Sequence, residues 1–350
     1  MRIDQARMLF GLLPLLAAGC TAGEPRPAFS SAPTASVQAR GETAAVGTAN
    51  ADAADDPAIW RNPADPAASL IVGTDKKAGL YVYDLSGSQQ SFLDAGRVNN
   101  VDLRDMGAAG IIVAASDRND PLRAQLALFR LDPTTRKLTP LGKIAAGAGE
   151  AYGVCLYRDG TALHAFNVLK DGTINQVAFD LSGTAPTGKI VRSMKLATQS
   201  EGCAADARTH RLYVAEEDVG LWRFDARAAG SVAPVKIAAA DGFQIVADTE
   251  GVALATEGDA DGGYLLVSSQ GDNAYAVYRL SDESYVGRFR ITKGRVGSTE
   301  ETDGIDVVTG DFGPDFPGGL FVAQDGQNAP TAQNFKLAAW ADIKAALGLE

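Results

Sequence analysis

Short runs of apolar residues, separated by polar turns, fill most of the chain after residue 50. The stretch "LIVGTDKKAGLYVYDL" (70–85) shows the pattern: an apolar strand, a short polar turn, then a strand in which apolar and polar residues alternate. Period-two alternation bounded by turns rich in Asp, Asn, Lys and Gly predicts β-strands rather than helices. The same shape returns at residues 111–132, 162–181, 211–226, 263–280 and, more loosely, 319–340.

Each of these units follows another short apolar strand with its own opening. The openings read DDPAIW, NNVDLR, YGVCLY, EGCAAD, EGVALA and DGIDVV, and they recur about every 50 residues, a period typical of propeller repeats. Three or four strands per unit at this period predict an all-β fold, a six-bladed β-propeller over residues 41–350. The segment "GETAAVG" (41–47) is expected to pair into the last blade and close the ring.

The N-terminus has a different composition. Arg2 and Arg7 precede an apolar run that is too short to span a bilayer and ends in small residues before Cys20. Residues 1–20 therefore predict an export signal. They resemble a bacterial lipoprotein signal, cleaved before Cys20 and lipidated on its sulfur, and the alternative is an ordinary secretory peptide cut near Ala22. Residues 21–40, rich in Ala, Pro, Ser and Thr, are predicted to be a flexible tether.

Export sets the expected surroundings of the protein. We expect an outer-membrane lipoprotein or a periplasmic or extracellular protein that touches the membrane only through its N-terminal lipid. The formal net charge of −11 argues against a nucleic-acid partner or an anionic membrane surface. A disulfide between Cys155 and Cys203 is possible outside the cytoplasm, although two buried free thiols are the favoured interpretation. A closed propeller has no open sheet edge to pair, so a monomer is expected.

Propeller topology predicts that two sets of polar residues share one face. The innermost strand of a blade starts on the face where the second strand turns into the third. The strand openings contribute Asp55, Asp56, Asn99, Asn100, Tyr152, Glu201, Glu250 and Asp303. The turns contribute Lys76, Lys77, Arg118, Lys170, Asp171, Glu217, Asp218, Asp272 and Asp325. A single acid at a turn is usually a solvated cap, but the convergence of so many favours a binding site.

This ring of carboxylates is costly unless cations neutralise it. The chain has two histidines, His164 and His210, and no cysteine pair at zinc spacing, so oxygen ligands favour Ca²⁺ over Mg²⁺ or Mn²⁺. Metal ions beside Lys76, Arg118 and Lys170 suit a polyanion, because together they hold phosphate and activate water for attack on phosphorus.

At these residues the chain resembles the β-propeller phytases, the calcium-dependent phytase family of bacteria. The motifs occur in the family's order from about residue 42 to the C-terminus, which is far more specific than a shared fold. They are DDPAIW, GTDKKAGLYVYDL, NNVDLR, EGCAADARTHRLYVAEED, GYLLVSSQGDNAYAVY, TDGIDV and GGLFVAQDGQN with QNFK. The resemblance implies a phosphoric monoester hydrolase of the 3-phytase type that acts on phytate, myo-inositol hexakisphosphate, as its calcium complex or on related inositol phosphates.

The resemblance also implies roles for individual residues. Phosphate binding falls on Lys76, Arg118, Tyr152 and Lys170, and catalysis is shared by these four with Glu201 and Glu217. The implied calcium ligands of the active face are Glu201, Glu217, Asp248, Glu250 and Asp303, with Glu42 and Asp171 as additions and Asp55 bordering them. A separate structural calcium is implied on Asp56, the carbonyls of Pro57 and Val101, Asp325 and Asn328.

Two departures from the family pattern affect the implied metal sites. The loop before TDGIDV reads "KGRVGSTEE" and places Ser298 and Glu300 where relatives often carry a ligating Asp. Asp171 stands where relatives can carry Glu, so its reach is shorter. The alternatives to a phytase are a non-catalytic calcium-binding propeller that binds a partner or polyanion, and another propeller enzyme such as a lactonase or phosphodiesterase.

Overall fold

The computed structural model describes residues 32–349, and these form six β-sheets arranged as the blades of a propeller. The predicted six-bladed β-propeller is confirmed. The predicted signal peptide and residues 21–31 of the predicted tether lie outside the described residues. Within the described part of the chain, no helix is long and apolar enough to cross a membrane.

Each blade is an antiparallel sheet whose strands follow one another outwards from the central channel. Blade 1 contains β3 (Ala54–Trp60), β4 (Leu70–Asp75), β5 (Gly79–Asp84) and β6 (Gln89–Asp94). Blade 2 contains β7 (Val98–Asp105), β8 (Ile111–Asp117), β9 (Arg123–Asp132) and β10 (Lys137–Ala148). Blade 3 contains β11 (Ala151–Asp159), β12 (Ala162–Leu169), β13 (Thr173–Asp180) and β14 (Thr187–Lys195). Blade 4 contains β15 (Ser200–Asp206), β16 (Arg211–Glu216), β17 (Gly220–Asp225) and β18 (Val235–Ala239). Blade 5 contains β19 (Thr249–Glu257), β20 (Gly262–Ser269), β21 (Ala274–Arg279) and β22 (Tyr285–Thr292). Blade 6 contains β23 (Ile305–Thr309), β24 (Gly319–Asp325) and β25 (Asn334–Ala339).

The remaining elements are short. Two N-terminal strands, β1 (Ala35–Gln38) and β2 (Gly41–Glu42), extend blades 5 and 6. Helix α1 (Trp340–Leu347) follows β25, and 3₁₀ turns occur at Pro66–Ala68, Gly107–Ala109 and Gln270–Asp272.

The hydrophobic core lies between neighbouring blades, so the second strands are buried on both faces. In β4, Leu70 and Val72 pack against blade 2, whereas Ile71 packs on the opposite face against blade 6. Successive side chains of a strand point to opposite faces of its sheet. A strand sandwiched between two blades therefore needs a continuous apolar run, which explains why "LIV" shows no polar residue.

The ring is closed by the N-terminal segment in two places. The predicted pairing of residues 41–47 with the last blade is confirmed at β2, where Gly41 and Glu42 pair with β25. The predicted tether extends too far, however, because β1 pairs in parallel with β22 of blade 5. Arg40 then donates two hydrogen bonds of 2.7 Å to the Asp342 carboxylate of α1. The chain from β1 to β2 thus bridges blades 5 and 6.

Removing residues 32–40 is expected to destabilise the propeller although no active-face residue is lost. Val37 is 4% exposed, and burying a side chain of this size is worth about 1.5–3 kcal/mol. A chain beginning at residue 41 should therefore melt several degrees below one beginning at residue 32, as measured by scanning calorimetry in the same calcium buffer. Equal melting temperatures would show that β1 does not contribute to ring closure.

The structure also corrects the prediction for the cysteines. Cys155 and Cys203 form a disulfide with a Cα–Cα distance of 5.7 Å, across 48 residues of sequence. It joins β11 to β15, the innermost strands of blades 3 and 4, inside the apolar core between these blades. The expectation of two free thiols was wrong because the two strands approach each other directly along the channel, which the spacing of the cysteines does not reveal.

Candidate active site

Five of the six innermost strands carry a β-bulge at the same level, close to where each strand starts. The register shifts fall at Ala54/Pro57, Val98/Val101, Ala151/Gly153, Ser200/Cys203 and Thr249/Val252. The residues inside the bulges are Asp55 and Asp56, Asn99 and Asn100, Tyr152, Glu201 and Gly202, and Glu250 and Gly251. A bulge interrupts the ladder and redirects side chains. The polar strand openings thus lie where the backbone is released from regular pairing.

The turns after the second strands meet these bulges on one face, as the topology predicted. The backbone N–H groups of Lys76, Arg118, Lys170 and Glu217 donate to carbonyls that directly precede their own blades' first strands, at 2.7–3.1 Å. This contact repeats in blades 1 to 4. Because each turn is held to its strand opening in the same way, the four side chains occupy equivalent positions around the channel mouth.

Glu201, Glu217 and Glu250 form the centre of the site. Each offers a carboxylate oxygen, and the three oxygens lie within 4.8 Å of one another. All three side chains are buried. Burial, followed by repulsion from neighbouring acids, raises the pKa of Glu201 and Glu250 well above the usual range. Burial raises the pKa of Glu217 to about 7.

These carboxylates retain unused ligand atoms, and this is the test of whether they suit a cation. Among the described residues, Glu217 Oε1, Glu250 Oε2 and Asp55 Oδ1 are buried and have no hydrogen-bond partner. A buried charged oxygen without a partner costs several kcal/mol unless a cation or donor reaches it. Hard oxygen ligands of this kind suit Ca²⁺ or Mg²⁺. The residues present therefore fit a divalent metal ion.

Lys76 is the cation closest to the acids. Its Nζ lies 3.0 Å from Asp55 Oδ2, 2.8 Å from Asp303 Oδ2 and 2.9 Å from Asp52 Oδ1. Burial disfavours the charged ammonium, but these carboxylates outweigh it and raise the Lys76 pKa above its usual range. Asp52 was missed by sequence reasoning, although it stands three residues before Asp55, in the loop that leads into β3.

The opposite side of the site is cationic. The Tyr152 ring contacts two cations, the Arg118 guanidinium, 5.3 Å from the ring centroid, and the Lys170 ammonium, 5.0 Å from it. Burial and nearby carboxylates raise the Tyr152 pKa, so its hydroxyl stays protonated. Arg118 is paired with Glu150, a second residue that sequence reasoning missed.

Asn99 connects the two sides. Its Oδ1 accepts a hydrogen bond from Arg118, and its Nδ2 donates to Glu201 Oε1 at 2.5 Å. The Asn99 amide therefore bridges Arg118 on the cationic side and Glu201 among the central acids. Tyr152, Lys76 and the three central glutamates line a cleft of about 1170 Å³, together with Asp248, Gln270 and Asp303.

Four residues implied by the family resemblance lie away from this cluster. Asp171 is exposed and pairs with Lys195, 2.9 Å away. Glu42, Asp325 and Asn328 surround the Lys336 ammonium instead, at 2.5, 3.1 and 2.9 Å. Asp272, expected in the ring of acids, is buried against Arg288. In each case a neighbouring cation, which the sequence pattern did not connect to the residue, contacts its side-chain oxygen.

The implied structural calcium site is divided between two places. Asp325 and Asn328 lie at Lys336, whereas Asp56, Pro57 and Val101 line a separate cavity of about 220 Å³ on the channel. There Asp56 Oδ2 accepts a hydrogen bond of 3.0 Å from the Val101 N–H, which links blade 1 to blade 2. The structure therefore does not assemble these five residues into one ligand set.

The raised pKa values predict how pH affects the protein without metal. Burial raises the Asp303 pKa from 3.8 to about 7, and that of Glu217 from 4.5 to about 7. Between the ordinary pKa values and the raised values of about 7, the folded protein binds more protons than the unfolded chain. The free energy of unfolding therefore falls as the pH rises through this range, up to about 7. In chelator, the melting temperature should fall by several degrees from pH 5 to pH 8, and saturating calcium should abolish this fall. A melting temperature that rises over this range in chelator would contradict the assignment.

Comparison with known proteins gives a family match, a similar sequence and a distant fold likeness. The family model described as phytase matches residues 5–350. The 3-phytase of Bacillus subtilis (strain 168) is 38% identical over 313 residues, which cover 85% of this chain and 82% of that protein. Among solved structures, the crystal structure of the Mitotic Checkpoint Complex aligns with a TM-score of 0.49 at 12% identity, over 95% of this chain and 88% of the other. This last likeness supports no inference about function.

Proposed function

The chain belongs to the phytase family and hydrolyses phosphate esters of phytate, and we propose that it does so at the acidic cleft in a calcium-dependent reaction. One observation carries the proposal. The buried, partly unpaired carboxylates of Glu201, Glu217 and Glu250 lie beside a cationic side formed by Arg118, Tyr152 and Lys170. A chain of net charge −11 can attract a polyanion to such a cleft only if cations bridge the two.

Calcium is the metal that the donor set supports best. Glu201, Glu217, Glu250, Asp303 and Asp55 would hold it, with Asp248 at the edge of the cluster. When bound, it would supply positive charge to the phosphoryl oxygens and activate water for direct attack on phosphorus.

The side chains of the protein have separate tasks in this proposal. Arg118 and Lys170 bind the oxygens of the phosphate under attack and stabilise the charge that develops on them. Tyr152 packs against both cations and, because it stays protonated, donates a hydrogen bond to the same phosphate. Lys76 remains charged and neutralises Asp55 and Asp303 until substrate enters.

We also propose that the enzyme works outside the cytoplasm, as an outer-membrane lipoprotein or as a periplasmic or extracellular protein. The composition of residues 1–20 supports export, and a disulfide such as Cys155–Cys203 is compatible with an oxidising compartment.

The decisive experiment measures phosphate release from phytate by residues 32–350 with calcium, with magnesium and with excess chelator. We expect release with calcium and a loss of at least about 100-fold in chelator, because the carboxylates would then repel the substrate. Release that is unchanged in chelator would overturn the calcium requirement. A folded, calcium-bound protein that releases no phosphate would instead favour the non-catalytic calcium propeller.

A further inference from the structure

The Cys155–Cys203 disulfide joins two strands that each carry a residue of the active cleft. Cys155 follows Tyr152 by three residues on β11, and Cys203 follows Glu201 by two residues on β15. The disulfide therefore joins the strand that carries the cationic side's tyrosine to the strand that carries a central carboxylate. Its two half-cystines belong to the sheets of blades 3 and 4. The disulfide is therefore a covalent link between two strands that share no sheet.

The position of Glu201 depends on contacts between blades rather than on its own sheet. Ser200 pairs with Glu216 and Cys203 with Val214, so Glu201 and Gly202 together face a single residue of β16. On the other side, a Cβ added to Gly153 of β11 would lie 1.9 Å from the Glu201 carbonyl oxygen. The two innermost strands thus touch at the bulges, and Cys203 is the first residue of β15 after the bulge that pairs regularly.

Strand β11 is itself anchored from the far side. The Leu156 N–H, next to Cys155, donates a 2.7 Å hydrogen bond to Asp102 Oδ2 of β7 in blade 2. The disulfide extends this anchorage to β15 in blade 4. Without it, repulsion among Glu201, Glu217 and Glu250 would act on a bulge whose remaining restraints are the β16 pairs on either side of it, packing, and the hydrogen bond from Asn99.

We infer that the Cys155–Cys203 disulfide is a positioning element of the metal-binding cluster, which holds Glu201 at the spacing that a cation requires. This inference rests on the proposed function. Its physical basis is preorganisation: a ligand set held in its bound geometry loses less conformational entropy on binding. The disulfide therefore increases the affinity of the cleft for calcium as well as stabilising the seam between blades 3 and 4.

The test replaces both cysteines with alanine and measures calcium binding by titration calorimetry, together with kcat and KM for phytate, well below the melting temperature. We expect the calcium concentration for half-saturation of the active-face sites to rise by about three- to tenfold, with the loss of activity at low calcium largely recovered at high calcium. Arg40→Ala is the matched control, because it removes the Arg40–Asp342 pair between the N-terminal segment and α1, remote from this seam. It should lower the melting temperature without shifting the calcium titration.

Two results would overturn the inference. A double cysteine variant with the calcium titration of the wild type would show that the disulfide does not position Glu201. An equal shift in Arg40→Ala would show that the effect is general destabilisation. If the double variant does not fold, the wild-type protein is treated with dithiothreitol in its calcium-bound state, dialysed under reducing conditions against chelator and titrated with thiols reduced; an unchanged titration would again overturn it. Failure of the wild type to release phosphate would count against the proposed function alone, since calcium binding is measured without turnover.

Discussion

Replacing Glu250 with glutamine is expected to reduce phosphate release from phytate by about 100-fold or more while raising the melting temperature of the calcium-free protein. Substitutions in groups that only support a metal ligand typically cost 10–100-fold, so the loss of a central ligand should reach at least the upper end. Stability moves the other way because Glu250 is buried with an unpaired oxygen and its pKa is raised by burial and by Glu201. Glutamine removes that charge at nearly the same volume.

The measurement combines initial rates at saturating calcium with melting curves in chelator at pH 8. Glu257→Gln is the matched control, since Glu257 ends the same strand, far from the cluster, and pairs with Lys344. It should change neither the rate nor the chelator melting curve appreciably. If Glu250→Gln were less stable than the wild type in chelator, the buried carboxylates of the cluster would not destabilise the calcium-free protein as their burial indicates.

The Lys336→Met substitution is expected to have the largest effect on stability, about 3–5 kcal/mol, the usual cost of removing one partner from a buried ion pair. The Lys336 side chain is fully buried, and its ammonium lies 2.5 Å from Glu42 Oε2 and 3.1 Å from Asp325 Oδ2. Asn328 and Asn334 supply two more oxygens at 2.9 Å. Methionine fills the space but leaves both carboxylates without their cation, at the point where β2 closes blade 6.

Denaturant unfolding in chelator measures this loss, and the same unfolding in calcium buffer shows whether calcium changes it. Lys344→Met provides the comparison, because Lys344 pairs with Glu257 at a partly exposed position, where such pairs contribute about 0–1 kcal/mol. If calcium restored the Lys336→Met variant to wild-type stability, a metal ion could replace the ammonium among these oxygens, and the implied structural calcium would regain support there. Equal effects of the two substitutions would show that Lys336 is not needed to close the ring.

Much of the fold followed from local pattern. The alternation in β5 and the continuous apolar run in β4 identify strands, and the six openings such as DDPAIW and NNVDLR identify blades. The same periodicity placed Glu201 and Glu250 at strand openings and Lys76 and Glu217 at turns, so topology alone brought them to one face. The N-terminal limit of the domain was harder to predict, because β1 is a short strand that is ordered by distant contacts, namely its pairing with β22 and the burial of Val37.

The sequence by itself thus determined the number of blades, the face on which acids and cations meet, and the family, because these depend on periodicity and on motifs that are local in the chain. Only the tertiary structure decided which charges meet. Glu42 and Lys336 pair across 294 residues, the bulges release Asp55 and Glu201 from regular pairing, and Cys155 reaches Cys203 across the seam of two blades. Such contacts depend on the register of each strand and on the packing between blades, where a shift of one residue turns a side chain to the other face.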